Sequence, residues 1–366
     1  MPLQETHKIK LLIFIPTREC GGTEKYVSLL CNNINPQLFE VTLAVLNDEH
    51  PFYEINNSIE VINLGKKRVR YSLSQIKKLI RKRQPDIIYS NANHLNLLFA
   101  IYRKSFPAHT PIIARESSIV SINSRRTKFP YFYQQLIKKF YPRLDHIICQ
   151  SEFMRNDLVS EFKFPIAKIS VINNPVEEIQ SKDSEKDEKV FITVARLSEE
   201  KGIDRLIRAV SKLSFPFKYY IIGEGRQREP LEKLIDQLNM NEKISLVGEK
   251  IHPYQEFGNA DLMLIGSHYE GFPNVALEAG LLGIPVVAFD APGGIAEIIK
   301  DGENGMLIKN NNEETFCNAI KHSLEYTFDR NSIVNYTEQK FALQKIIKQT
   351  EGLFNQLYLQ SLPLKN

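Results

Sequence analysis

Residues 262–289 read LMLIGSHYEGFPNVALEAGLLGIPVVAF, and this stretch decides the fold. Leu262–Ile265 and Val286–Phe289 are short apolar runs bounded by glycine or proline, the pattern of strands buried on both faces. Between them, Gly271 permits an unusual turn. Pro273 stiffens the approach, and Asn274 is a good N-cap for a helix beginning at Val275. Strand, loop, helix and strand in that order make a βαβ unit, which joins parallel strands.

The same alternation extends in both directions. Toward the N-terminus, strands are predicted at Ile9–Ile15, Val41–Leu46, Asp86–Ser90, Pro111–Arg115 and His146–Gln150. Helices are predicted between them at Thr23–Asn33, Leu73–Arg83, Leu95–Lys104 and Phe153–Glu161. A polar run, Glu177–Glu188, which contains the charged stretch Ser181–Glu188, interrupts the pattern and cannot build a core. Alternation resumes with strands at Val190–Ala195, Tyr219–Ile222, Ile244–Val247 and Met306–Ile308. Ile203, Leu206, Ile207 and Val210 form the apolar stripe of a helix. The chain's 366 residues exceed one ordinary core. The expected architecture is α/β, with two Rossmann-like doubly wound domains and an interdomain cleft. Residues 1–173 form the first domain, 174–189 a linker and 190–339 the second. A C-terminal helical stretch, 340–366, closes the second domain and is free to cross back to the first.

Composition narrows the class. The formal charge of +4 conceals +11 over residues 1–172 and −7 over the remainder, so one half is suited to an anionic partner. Cys20, Cys31, Cys149 and Cys317 are scattered with no CxxC, which gives neither a metal site nor a disulfide framework. The apolar run Leu11–Ile15 lacks the length of a signal peptide's core, and no segment reaches ~18 apolar residues. A cytoplasmic protein is expected.

Residues suited to chemistry sit at the strand ends. Amides near Asn274 and Val275 would point outward at the positive end of a helix, a ready phosphate site. Glu270 precedes that helix and Glu278 lies about one turn into it. A helix cap with a solvated glutamate explains the same residues. Arg196 and Lys201 follow a buried strand, where two cations suit a leaving group that gathers negative charge; a solvated helix start is the plain alternative. Gly21-Gly22 after the first strand allows close backbone approach, or simply a tight turn.

The segment Glu270–Glu278 resembles the E-x7-E signature of retaining GT-B glycosyltransferases of family 4. Other features stand in that family's order. Gly21-Gly22-Thr23-Glu24 resembles its GG-x-E opening, and Arg196-Leu197-Ser198-Glu199-Glu200-Lys201-Gly202 its R-x4-K-G turn. Gly223-Glu224-Gly225 and Pro292-Gly293-Gly294-Ile295-Ala296-Glu297 match its later glycine loops, and Gly302, Asn304 and Gly305 its D-G-x-N-G turn. The resemblance implies Glu270, Arg196 and Lys201 as catalytic residues. It implies Gly21, Gly22, Gly271, Phe272, Pro273, Asn274, Val275 and Glu278 as donor-binding residues. The donor is a nucleotide diphosphate sugar, with UDP favoured. There is no convincing DxD motif, so no divalent metal and no other cofactor is expected.

The acceptor side departs from the family. Many relatives carry a histidine near the end of the fourth N-domain strand, whereas this chain has Arg115-Glu116-Ser117-Ser118. Glu116 is the candidate to orient an acceptor hydroxyl, against a surface ion pair with Arg115. His94 is a further candidate, against an ordinary helix-start histidine. Two basic stretches, Lys66–Arg70 with Lys77–Arg83 and Arg125–Tyr141, interleave cations with aromatic residues as at a bilayer interface. Nucleic acid suits the same composition, but no nucleic-acid motif accompanies it. The expected function is transfer of a hexose or N-acetylhexosamine, with retention, to a glycan acceptor. That acceptor is lipid-linked, met peripherally on an anionic inner membrane face. A UDP-sugar epimerase on the same fold, or a non-catalytic anionic-lipid binder, is the alternative.

Overall fold

A computed structural model of the chain describes residues 8–180, 188–309 and 312–362. The chain divides into two compact units, Met1–Pro175 with Leu343–Asn366, and Val176–Ala342. The first unit holds β1 (Ile9–Ile15), β2 (Phe39–Val45), β3 (Glu60–Asn63), β4 (Ile87–Asn91), β5 (Ile112–Arg115), β6 (His146–Cys149) and β7 (Ile169–Val171). All pair in parallel, in the order β3-β2-β1-β4-β5-β6-β7. Its crossovers carry α1 (Gly22–Asn33), α2 (Leu73–Arg83), α3 (Asn93–Ile101), α4 (Val120–Arg125), α5 (Pro130–Phe140) and α6 (Glu152–Phe162). Every residue of β4, β5 and β6 is buried, as expected of strands covered on both faces.

The second unit repeats the plan. Its strands are β8 (Lys189–Val194), β9 (Phe217–Ile222), β10 (Ile244–Gly248), β11 (Leu262–Ile265), β12 (Val286–Phe289) and β13 (Gly305–Ile308), ordered β10-β9-β8-β11-β12-β13. Its helices are α7 (Ile203–Val210), α8 (Arg228–Gln237), α9 (Tyr254–Phe257), α10 (Asn274–Leu281), α11 (Ile295–Ile298), α12 (Glu313–Glu325) and α13 (Arg330–Phe341). Ile203, Leu206, Ile207 and Val210 of α7 are all buried in one cluster with Phe191, Tyr219 and Leu264. The chain ends with α14 (Leu343–Ser361), whose Ile346, Ile347 and Phe354 pack with Leu11, Tyr26 and Phe39 of the first unit.

Several elements differ from expectation. The strands β3 and β7 have four and three residues, too short for an alternation to register. The basic, aromatic stretch after β5 contains two helices, α4 and α5, with Pro130 at the start of α5 where its missing N–H costs nothing. The single helix expected from residue 340 is two, broken at Ala342. There the backbone turns extended (φ −51°, ψ 137°) and pairs with Val176. The same bridge ties down part of the expected linker 174–189, since Val176 is buried in the second unit. Residues 181–187 of that stretch lie outside the described residues.

Strand order reverses between β1 and β4 in the first sheet and between β8 and β11 in the second. At such a switch point the loops leaving the carboxyl ends of the two central strands diverge and open a crevice for ligands. In the second unit those loops are Ala195–Gly202 and Gly266–Pro273, the segments that carry Arg196, Lys201 and Glu270.

Candidate active site

The two loops of the second unit are joined through their backbones. The His268 amide donates to the Glu200 carbonyl at 2.8 Å. Gly202 has φ +54°, and a Cβ there would stand 2.1 Å from the Gly266 carbonyl oxygen. Only glycine permits that approach in that conformation. Arg205, in the first turn of α7, reinforces the junction. Its Nε donates to the Gly266 carbonyl at 2.6 Å, its Nη2 donates to the Ser267 carbonyl, and its guanidinium lies 3.9 Å from the Phe289 ring centroid. Burial pushes Arg205 down to about 10, which leaves it cationic at neutral pH.

This junction brings Lys201 and Glu270 together. The Lys201 Nζ donates to Glu270 Oε1 at 2.5 Å, and Ser267 Oγ donates to the same oxygen at 2.6 Å. Both side chains are largely buried. An ammonium has three donors and this pair uses one. The Glu270 backbone is held from the other side. Its amide donates to the Pro292 carbonyl at 2.9 Å, and the Gly294 amide donates to the Gly271 carbonyl at 3.0 Å. The unusual turn expected at Gly271 falls on Gly293 instead (φ +127°), where a Cβ would lie 1.5 Å from the Glu270 carbonyl oxygen.

Arg196 is fixed by its backbone neighbours. The amides of Ala195 and Leu197 donate to Ile222 and Glu224, and the Gln227 amide donates to Leu197. Its own side chain is exposed and pairs with no carboxylate among the described residues. The site thus presents one neutralised cation, Lys201, and one open cation, Arg196.

The helix after Glu270 begins one residue earlier than expected. Asn274 is its first residue and Pro273 holds the cap position, so Asn274 is not the N-cap. Phe272 is buried in the core with its ring 5.7 Å from Phe341, and Pro273 is buried beside it; Asn274 and Val275 are half-buried. Phe272 therefore offers a ligand its backbone and not its ring. Glu278 is buried on α10, where its Oε2 accepts a 2.8 Å bond from the Tyr254 hydroxyl.

In the first unit, Gly22 opens α1 and is exposed. Glu24 folds back so closely that a Cβ on Gly21 would lie 2.3 Å from its Oε2. Glu116 and Arg115 form no surface ion pair. Both are sealed, Arg115 as the last residue of β5 and Glu116 just after it, and each meets different partners. Arg115 stacks 3.7 Å from the Tyr26 ring centroid and donates to Asn174 Oδ1 at 2.7 Å. Glu116 Oε1 accepts from Asn96 (2.8 Å) and Tyr141 (2.9 Å), while its Oε2 has no partner. Burial pushes its carboxyl up to about 7. With no exposed surface, Glu116 offers an acceptor hydroxyl no contact; it ties β5 to α3 instead. His94 is exposed at the start of α3, its Nδ1 3.5 Å from the Tyr133 hydroxyl.

Sequence reading missed Arg205, Ser267 and Tyr254. Arg205 falls outside the apolar stripe of its helix and reads as solvated. The partners of Ser267 and Tyr254 are set by loop geometry, which leaves no periodic trace. A proline before an aromatic, Pro253-Tyr254, was the one local cue.

Two doubly wound parallel sheets, with charged strand-end loops at a switch point, define the GT-B architecture. Residues 176–340 match the family described as Glycosyl transferases group 1, and residues 20–178 match Glycosyltransferase Family 4. A Campylobacter jejuni N-acetylgalactosamine-N,N'-diacetylbacillosaminyl-diphospho-undecaprenol 4-alpha-N-acetylgalactosaminyltransferase is 30% identical over 331 residues, covering 86% of this chain and 90% of its own. The Erwinia amylovora amylovoran biosynthesis glycosyltransferase AmsD is 24% identical over 319 residues, covering 84% and 88%. Among solved structures, sucrose-phosphate synthase from Thermosynechococcus elongatus superimposes with a TM-score of 0.83 at 18% identity, covering 96% of this chain and 100% of that one. Anabaena HepE in complex with UDP-glucose superimposes with a TM-score of 0.74 at 19% identity, covering 95% and 100%. The chain belongs to the group 1, family 4 glycosyltransferases, and it is an enzyme of that class.

Proposed function

We propose that the chain transfers a hexose or N-acetylhexosamine, with retained configuration, from a UDP-sugar to a lipid-linked glycan, and that it needs no divalent metal. The observation that carries this reading is the Lys201–Glu270 pair on the strand-end loops, one of which also carries the exposed Arg196. The donor diphosphate takes the unpaired guanidinium of Arg196 and the remaining donors of Lys201. Glu270 is left to accept from a hydroxyl of the donor sugar. As the bond from the anomeric carbon to the phosphate oxygen breaks, charge gathers on the diphosphate, where two fixed cations stabilise the transition state more than the ground state. The acceptor oxygen bonds to the anomeric carbon on the same face. Its proton passes to the departing phosphate oxygen, so no protein base is required. The sealed Glu116 suits that scheme.

Support for a lipid-linked acceptor comes from the Campylobacter relative, whose name specifies a diphospho-undecaprenol substrate. It comes also from the first unit's surface. Phe129, Tyr131 and Phe132 are 65%, 76% and 63% exposed at the start of α5, among Arg125, Arg126, Lys128, Lys138 and Lys139. The helix α3 packs against α5 and against the turn Val69–Tyr71, so the two basic stretches flank one helix. Such a surface suits peripheral attachment to an anionic leaflet on the cytoplasmic side. No helix of the described residues is long and apolar enough to cross a membrane. The test is incubation of the pure protein with a panel of nucleotide sugars, with and without EDTA. Slow release of UDP from one sugar, unaffected by EDTA, is expected. Release that EDTA abolishes and magnesium or manganese restores would refute the metal-free reading; no release from any donor would refute the donor assignment.

A further inference from the structure

The donor site described above leaves one buried contact unused. Tyr254 is 5% exposed and Glu278 9%, and they meet through the 2.8 Å hydrogen bond from the phenol to Glu278 Oε2. The two residues come from different elements, α9 and α10. Tyr254 is the first residue of a helix only four residues long, so something else must hold it in place. Lys250 Nζ bonds both carboxylate oxygens of Glu256 at 2.7 and 2.9 Å, which closes the loop onto the helix. The ring of Phe257 lies 4.8 Å from that of Tyr220 on β9, which seats the other end. The ring of Tyr254 packs in the cluster formed by Ala260, Met263, Phe272 and Ala276. Burial and the charge of Glu278 push the phenol well up, so it stays a hydrogen-bond donor at any working pH.

A carboxylate on a helix has three free torsions, and a ligand that binds it must pay to fix them. Here one oxygen is already fixed by a buried donor on a second element. We propose that Tyr254 is a positioning residue, which holds the Glu278 carboxylate in the orientation that accepts from the ribose hydroxyls of the donor nucleotide. This rests on the proposed donor reading, with Glu278 as the donor-binding carboxylate that meets the ribose hydroxyls of the nucleotide. Tyr254 thereby sets discrimination between a ribonucleotide and its deoxy counterparts, without touching the ligand itself. A hydrogen bond to a charged group is worth about tenfold to hundredfold in affinity when its geometry is preset.

The experiment is calorimetric titration of the full chain with UDP, GDP and ADP. The 2′-deoxy and 3′-deoxy forms of the bound nucleotide then follow, for the wild type and for Tyr254→Phe. The expected result is roughly tenfold or greater preference for the ribonucleotide in the wild type, falling to about threefold or less in Tyr254→Phe. Donor KM should rise in that variant while kcat at saturating donor stays within about threefold, because the reacting atoms are untouched. An unchanged ribose preference in a folded Tyr254→Phe protein would overturn the inference and leave the donor reading intact. Binding of none of the three nucleotides by the wild type would overturn the donor reading itself. Removing one partner leaves a buried charge, so the pair Glu278→Met and Glu278→Met/Tyr254→Phe, in which position 278 has no oxygen for the phenol, covers the case in which the single variant fails to fold. Equal ribose preference in those two is expected, and a further loss on adding Tyr254→Phe would show that Tyr254 does not act through Glu278.

Discussion

Gly293→Ala is expected to disable the enzyme by displacing Glu270 without changing any polar group. A Cβ at position 293 would stand 1.5 Å from the Glu270 carbonyl oxygen, where real contacts essentially never fall below 3.0 Å. The two loops must therefore part by about 1.5 Å, the difference between those figures. Parting breaks the bonds from Glu270 to Pro292 and from Gly294 to Gly271, each worth about 1 kcal/mol. The residue must also keep φ near +127° or refold the turn, which costs about 1–3 kcal/mol. The total is about 3–5 kcal/mol, or a fall of about 10 °C in melting temperature. Misplacing a reacting group by ~1 Å costs about a hundredfold in rate. Gly65→Ala is the control. Gly65 has φ +64° with no atom within 4 Å of its would-be Cβ, so the expected cost is about 1 kcal/mol of strain with activity unchanged. Thermal melts and turnover of both variants are the assay. Activity of Gly293→Ala within threefold of wild type would refute the claim that this contact holds Glu270 in place.

Lys201→Ala and Glu270→Gln are each expected to lower turnover at least ~100-fold with the fold retained, as followed by circular dichroism and transfer assays; near-normal rates in either would remove that residue from the mechanism. Glu116 is expected to make stability fall as pH rises. Its carboxyl is raised from 4.5 to about 7, so the folded state holds a proton that the unfolded state releases. Stability is full below pH 4.5 and is lost by pH 7, on the order of 3 kcal/mol. Melting of wild type relative to Glu116→Gln, compared between pH 4.5 and pH 8, measures it, and a constant difference would contradict it. Liposome co-sedimentation should show binding to anionic but not neutral vesicles, weakened by high salt and by replacing Phe129, Tyr131 and Phe132 with serine. Equal failure to bind either lipid at low salt would contradict membrane docking.

The central strands β11 and β12 of the second unit are legible because each is an uninterrupted apolar run, and a sheet covered on both faces requires such runs. The cations and carboxylates at the strand ends are legible for the same reason, since a charge right after a buried run stands at the sheet's edge. What stayed hidden depends on contacts between loops distant in sequence. Gly271 and Gly293 look alike on the page, yet only Gly293 faces a carbonyl at a distance a Cβ cannot share. Glu116 reads as an acceptor-orienting residue, with an exposed ion pair to Arg115 as the alternative, because adjacent opposite charges in a sequence usually lie at the surface. Both are buried, Arg115 at the end of β5 against Tyr26 of α1 and Glu116 just after it against Asn96 of α3 and Tyr141. The helix α5 was obscured by its exposed aromatic residues, which swamp the apolar periodicity set by its buried Ile137.

Retained configuration at the anomeric carbon is the central claim about the chemistry, and proton NMR of the transfer product tests it most directly. With an α-linked UDP-sugar and a lipid-linked glycan acceptor, an α-linked product is expected, formed at the same rate with or without EDTA. A β-linked product would contradict front-face transfer at Glu270, Arg196 and Lys201.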